Sequence, residues 1–385
     1  MEHTKIKRNT PSSRLWFVDN VRVLLIMLVI AHHAGQPYGP TGGMWLIFNP
    51  ERADILGAFF ATNAAFFMGF FFLISGYFVP GAYTRKGAKV FLKQRFWQLG
   101  IPILFFALLV FPLIFYFTQS GELSFRQFYF GVYLGRGQIQ VGHLWFLVHL
   151  LFYAICYVLW RKIAKRNAAS ELDQPIMPPP QHGLILTYLA ALAIVTYIIR
   201  IPYPIDTWQG LLWIIPTEIA HLPQYASLFM IGIIAYHHDW FCKMPTQRGL
   251  IWLGIGLGAA ILRYGYTLAR GRWFSIRVIA DGGWDWRSLF WSTWEATICV
   301  GLCVGLLVFF RERGSGQGKW GRILSANAYV VYLIHILVVI PVQFLVAPVF
   351  IPPLLKFFLV TLVSIPLCFL IGYYVRKLPL VRLVL

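Results

Sequence analysis

The chain has 385 residues, 58% of them hydrophobic and only 12% charged, and a formal net charge of +19. Soluble domains carry about 25% charged residues, and this chain repeats apolar runs of about 20 residues, so a water-soluble globular protein is excluded. The positive charge does not call for a nucleic-acid partner, because Lys and Arg collect in the cytoplasmic loops of membrane proteins without any polyanion to bind.

In chain order the apolar runs predict ten transmembrane helices, over residues 15–35, 55–80, 96–118, 143–161, 183–200, 220–238, 249–268, 287–310, 323–346 and 355–375. The expected fold class is all-α, a polytopic transmembrane helical bundle, with 1–385 as a single domain in the lipid bilayer. The first run holds Asp19 and Arg22 and lacks a small-residue cleavage site, so it reads as a span and not as a signal peptide. Residues 167–182 include Glu171, Asp173 and Pro178-Pro179-Pro180, and read as a flexible cytoplasmic linker. The short apolar piece Trp208–Glu218 reads as re-entrant or interfacial. Cys156, Cys242, Cys299, Cys303 and Cys368 show neither a disulfide framework nor zinc-ligand spacing, so no metal is expected.

Alternate loops carry the basic residues. The N-terminus, the second, fourth, sixth and eighth loops and the tail together hold 22 of the 33 Lys and Arg. This places both termini in the cytoplasm of a multi-pass protein of the inner or plasma membrane. The seventh loop is the exception. It is external by parity yet carries Arg270, Arg272, Arg277 and Arg287 beside Asp281 and Asp285. Pairing with the two aspartates offsets part of that charge. The remainder, beside Trp284 and Trp286, suits a ligand with sugar rings and anionic groups, so Arg272, Arg277 and Trp284 are substrate-binding candidates.

Ionisable groups inside spans are costly and are functional candidates by default. Arg22 and His33 lie 11 residues apart in the first span, which on a helix puts them within about 20° of one face and roughly 16 Å apart along the axis. His32 points roughly 80° away. A separation near 16 Å is comparable to the reach of a pantetheine arm from its phosphates to its thioester. Arg grips phosphate with a permanent two-pronged charge, and His moves protons near neutral pH. A plain Arg22–Asp19 pair beside a satisfied histidine is the competing structural role.

Around these residues the sequence resembles the acyltransferase-3 family of integral membrane acyltransferases. Asp19-Asn20-Val21-Arg22 with Ala31-His32-His33 is similar to its first-helix signature. Phe71-Phe72-Leu73-Ile74-Ser75-Gly76-Tyr77, then Lys93-Gln94-Arg95 with Gly100-Ile101-Pro102, then His143-Leu144-Trp145-Phe146-Leu147 follow in family order. Leu324-Ser325-Ala326-Asn327-Ala328-Tyr329, continued by Tyr332-Leu333-Ile334-His335, resembles the family's late helix. The resemblance covers nearly the whole chain. It implies an acyl-CoA donor on the cytoplasmic side as a substrate, with no permanently bound cofactor. It implies transfer of an acetyl- or succinyl-type group to a hydroxyl of a carbohydrate or cell-envelope glycan. No hydrolase-like domain of the kind some members append is evident.

On this view His33 is the base that activates the hydroxyl, or a transient acyl carrier; the sequence leaves both open. Arg22, Arg95 and Ser75 become donor-binding candidates, although Ser75 and Gly76 equally suit close helix packing. Glu295 is the clearest carboxylate inside a span, able to orient an imidazole or to pair with Arg263. His335, near Tyr329 and Tyr332, is a third catalytic candidate, with a hydrogen-bonded core histidine as the plain alternative. His143 and Trp145 are candidates for the acceptor, against simple interfacial placement. A transporter or flippase is the rival class, since buried Arg, His and Glu also suit a translocation path. The ordered motifs and the lack of an internal repeat tell against it.

Overall fold

The computed structural model describes residues 14–40, 45–119, 121–164, 175–211, 215–270, 273 and 279–384. In a bilayer each segment must satisfy its own backbone hydrogen bonds, and helices do so within one segment. The long helices are α1 (Trp16–Gly35), α3 (Phe67–Arg95, preceded by α2, Ile55–Ala64), α6 (Trp145–Ile163), α7 (His182–Arg200) and α8 (Leu222–His238). After the short α9 (Trp240–Lys243) come α10 (Thr246–Ala269), α11 (Trp286–Arg313), α12 (Lys319–Val346) and α13 (Pro353–Val375). The chain ends on the four-residue α14 (Pro379–Arg382). Between α3 and α6 lie α4 (Ile101–Phe105) and α5 (Phe111–Gln119), flanked by two wide-turn segments, Phe96–Gly100 and Phe106–Val110.

Nine helical stretches among the described residues are long and apolar enough to cross a membrane. One of them, Ile55–Thr118, has 64 residues, or roughly 96 Å at helical rise, against a hydrocarbon core of about 30 Å. It breaks at Gly87, whose φ of 72° and ψ of 164° are not helical. A side chain resists that conformation and glycine does not. The break divides the stretch into two membrane-length pieces, so the nine stretches accommodate the ten expected passes.

Helix α1 is central and packs against α3, α11, α12 and α13. Helix α3 packs extensively along α8. A Cβ on Gly76 would sit 2.1 Å from the Phe229 carbonyl oxygen, and one on Gly232 would sit 2.2 Å from that of Leu73. Gly76 therefore serves backbone approach, and Ser75 is half-buried beside it.

Two ends are distinct. At one, Asn20 Nδ2 donates to the carbonyls of Gly314 (2.7 Å) and Gly316 (3.3 Å). Arg311 donates to the Cys242 carbonyl (2.9 Å), and Arg248 to that of Pro180 (2.8 Å). The basic sixth and eighth loops thus share an end with the start of α1. In the expected linker, 167–174 lies outside the described residues. Of its remainder, the Met177 amide donates to His238 Nδ1 at 3.1 Å. At the other end Trp208–Glu218 forms an antiparallel hairpin, β1 (Trp208–Leu211) with β2 (Ile215–Glu218), registering Trp208 against Glu218. The expected re-entrant piece is a β-ribbon, in which backbone groups pair across two short strands.

Candidate active site: two polar clusters on one cavity

His33 lies in the last turn of α1. Its Nδ1 is 2.9 Å from the Val29 carbonyl oxygen and 3.3 Å from His335 Nε2. A carbonyl only accepts, so the proton sits on His33 Nδ1 and the lone pair on Nε2. The same reasoning fixes His335, whose Nδ1 is 2.6 Å from the Tyr332 carbonyl. Its Nε2 is the acceptor that faces His33. The two rings are 4.9 Å apart, and the His143 ring is 4.7 Å from His335. His143 Nε2 meets the Leu333 carbonyl at 3.1 Å, and the Tyr332 hydroxyl donates to the His143 carbonyl at 2.5 Å. Three histidines distant in sequence thus form one cluster, each tied to the backbone through a single N–H.

Gln343 secures this arrangement. Fully buried, it donates to the carbonyls of His33 (2.9 Å) and Ala34 (3.1 Å) in the last turn of α1, the first of which also accepts from the Gln36 N–H at 3.3 Å. Its Oε1 accepts from Trp45 Nε1 at 2.9 Å, and the Trp45 ring lies 5.5 Å from that of His33. His32 faces elsewhere on α1, as the helical angle predicts, stacked on Phe67 at 5.3 Å and edge-on to Phe60 at 5.0 Å.

A cavity of about 1180 Å³ joins His32, His33, His143, Trp145 and Tyr332 to a second cluster. There Arg200, with no exposed surface, donates from Nη2 to Glu295 Oε2. Glu295 therefore pairs with Arg200 and not with Arg263, which stacks on Trp291 at 5.4 Å. His221 stands between two carboxylates, with Nδ1 2.9 Å from Glu218 Oε2 and Nε2 3.7 Å from Glu295 Oε2. Glu218 Oε1 also accepts from the Asp206 amide at 2.9 Å. Burial pushes the Glu218 carboxyl up, but His221, the Asp206 N–H and Arg200 outweigh it and hold the group below its ordinary value. Of the 14 Asp and Glu in the chain, Asp54, Asp206, Glu218, Asp281 and Glu295 line this one cavity. Indoles of Trp145, Trp208 and Trp291 share the wall.

The other candidates lie elsewhere. Arg22, Arg95 and Ser75 do not line the cavity. Arg22 shares Asp19 with Arg14, at 3.3 and 2.6 Å, and sits 4.8 Å over the Phe78 ring. Arg95 sits 5.2 Å over the Phe91 ring. Trp284 is 83% exposed, stands 6.2 Å from Tyr197 and does not line the cavity. Arg272 and Arg277 lie outside the described residues. In the seventh loop Asp285 pairs with Arg287 at 2.5 Å, one of the two offsetting pairs expected there. Sequence reasoning missed Gln343, Arg200, Glu218 and His221. Gln343 carries no charge, and the other three stand at the ends of apolar runs, where interfacial polarity is ordinary.

Residues 15–373 match the family model described as an acyltransferase domain, that of the acyltransferase-3 family. The chain is 27% identical over 267 residues to the Glucans biosynthesis protein C of Salmonella typhi and to that of Salmonella agona (strain SL483), a stretch covering 68% of this chain and 67% of each relative. No solved structure matches.

Proposed function

The chain belongs to the acyltransferase-3 family, and from that premise we propose that it moves an acetyl- or succinyl-type group from acyl-CoA to a hydroxyl of a glycan. The observation that carries the reading is His33, whose Nδ1–H is engaged by Val29 and His335, leaving the Nε2 lone pair for the cavity that the ring lines. In the proposed step Nε2 takes the proton of an acceptor hydroxyl as its oxygen attacks the thioester carbonyl. The carbon–sulfur bond breaks, and the CoA thiolate recovers that proton from the imidazolium. An ester and free CoA result.

The cavity wall favours a carbohydrate acceptor. Carboxylates accept hydrogen bonds from sugar hydroxyls, and indole faces cover the apolar faces of sugar rings. The name of the relatives refers to glucans, which agrees with that chemistry. The donor would approach from the basic end, where Arg22 and Arg95 are the phosphate-gripping candidates and Ser75 is the third donor-binding candidate. The loop-charge rule assigns that end to the cytoplasm, with the cavity end on the far face of the cell's inner membrane.

The test uses purified protein in lipid nanodiscs, with acetyl-CoA or succinyl-CoA as donor and a glucan oligosaccharide as acceptor. Acylated sugar is read by mass spectrometry and donor binding by calorimetry. His33→Ala is expected to lower transfer by about 10²–10⁴-fold with donor binding largely kept, whereas Arg22→Ala weakens donor binding. Near-normal turnover in folded His33→Ala protein removes the proposal. His32→Ala is an imperfect control, since that ring lines the same cavity.

A further inference from the structure

A second cavity, of about 360 Å³, opens at the basic end of the bundle and is lined by Asn327, Tyr373, Arg376, Lys377 and Arg382. It lies between the early part of α12 and the end of α13, where the chain turns into α14. No Asp or Glu follows Glu312 in the sequence, so no acidic side chain of α12, α13 or α14 neutralises these three cations. Among the described residues none of the three is in a salt bridge; Lys377 Nζ rests 3.9 Å over the Tyr373 ring. Loop cations of a membrane protein ordinarily stand in water, and here they surround a concavity.

Asn327 supplies the second, independent observation. It is 2% exposed, and its Nδ2 donates to the Ile323 carbonyl at 2.6 Å. That bond fixes the amide orientation, and the buried Oδ1 then has no hydrogen-bond partner among the described residues. An unsatisfied buried acceptor is costly, and a donor brought by a ligand would satisfy it. The ligand that matches therefore carries an anion for the cations and a hydroxyl or amine for Oδ1. Beside the groove, Leu378, Leu380 and Leu383 are 52%, 78% and 70% exposed. Apolar side chains flanking a cationic groove fit a ligand with acyl chains attached to its headgroup.

We propose that this groove holds the headgroup of an anionic glycerophospholipid, with the phosphate on Arg376, Lys377 and Arg382 and a headgroup hydroxyl on Asn327. A CoA phosphate shares part of this chemistry but has no use for the exposed leucines.

The experiment incorporates the full chain into nanodiscs of equal phosphatidylglycerol and phosphatidylcholine, then counts lipids retained on the released protein by native mass spectrometry. Wild type is expected to keep one phosphatidylglycerol in preference to phosphatidylcholine. In R376Q/R382Q that retention should fall at least about tenfold, each cation near a membrane surface being worth about 1 kcal/mol. R376K/R382K should keep it, and Asn327→Leu, which changes no charge, should lose part of it. Equal retention of both lipids by wild type overturns the proposal even if the glutamine variant fails to fold. Unchanged phosphatidylglycerol in folded R376Q/R382Q also overturns it, as does displacement of the lipid by free CoA, which would make the groove a donor-phosphate site. The readout is bound lipid, so its outcome is independent of whether acyl transfer proceeds through His33.

Discussion

The two polar clusters on the large cavity solve burial in opposite ways. The histidines of α1, of the turn that leads into α6 and of α12 each give one N–H to a backbone carbonyl and keep the other nitrogen for something else. Arg200, Glu295, His221 and Glu218 spend their hydrogen bonds mainly on one another. The first arrangement leaves lone pairs where protons can move. The second is nearly closed, and what it offers a ligand is a fixed pattern of charge. On the proposed reading, chemistry belongs with the histidines, and shape and recognition with the charged network.

The largest effect that tests this division is on stability. Arg200→Ala leaves Glu295 buried without its cation, a kind of loss worth about 3–5 kcal/mol, and should lower the melting temperature of the nanodisc-borne protein sharply. Replacing both partners by R200M/E295M should recover most of that loss, because a buried ion pair barely outperforms well-packed apolar groups. If the network recognises acceptor, the double variant regains its melting temperature and keeps a raised acceptor KM. Full recovery of KM would reduce the network to scaffolding.

His335 sharpens the histidine side of the contrast. On the proposed reading it acts through His33, so His335→Leu should lower kcat by about 10–100-fold with acceptor KM little changed, a smaller loss than His33→Ala. The His33 Nδ1–H still has Val29 to bond, which is why the loss is partial. His335→Gln, able to accept that N–H through its amide oxygen, should recover part of the rate. Equal losses in His335→Leu and His33→Ala would give His335 a direct part in proton transfer.

Much of this was legible from the sequence, and the reason differs by element. Apolar runs fix the passes because lipid leaves a helix no alternative, and the Arg22 to His33 spacing fixes which face of α1 each occupies. Which helices bring His143 and His335 to His33 depends on packing between runs far apart in sequence. The sequence offered Arg263 as the partner of Glu295 where the structure has Arg200, for the same reason: hydropathy does not show which helix faces which. The hairpin over 208–218 was hidden because four-residue strands carry almost no periodicity.

The indoles offer a smaller test. Trp208, on β1, lines the cavity, whereas Trp284 is exposed and does not. Trp208→Leu should raise acceptor KM by about fivefold, the scale of one lost aromatic contact, with donor affinity unchanged. Trp284→Leu should change neither. A reversed pattern would move acceptor binding to the seventh loop, where Arg272 and Arg277 lie.

The smallest effect concerns acid. Glu218 is held below its ordinary value by His221, the Asp206 N–H and Arg200, against the upward push of burial. A carboxyl with a depressed folded-state value contributes stability that is fully present above its unfolded value, about 4.3. That contribution is lost as pH falls through the folded value, because the unfolded chain binds the proton first. Glu218→Gln removes the titration while its side-chain oxygen still accepts a hydrogen bond. The variant should therefore melt a few degrees below wild type at pH 7, and the gap should close as pH drops below about 4. The sign is opposite to that of a carboxyl raised by burial alone, whose replacement by an amide stabilises at neutral pH. A Glu218→Gln protein that melts higher than wild type at pH 7 would mean that burial outweighs its partners, and the charged network would then be a store of strain, not a closed set of bonds.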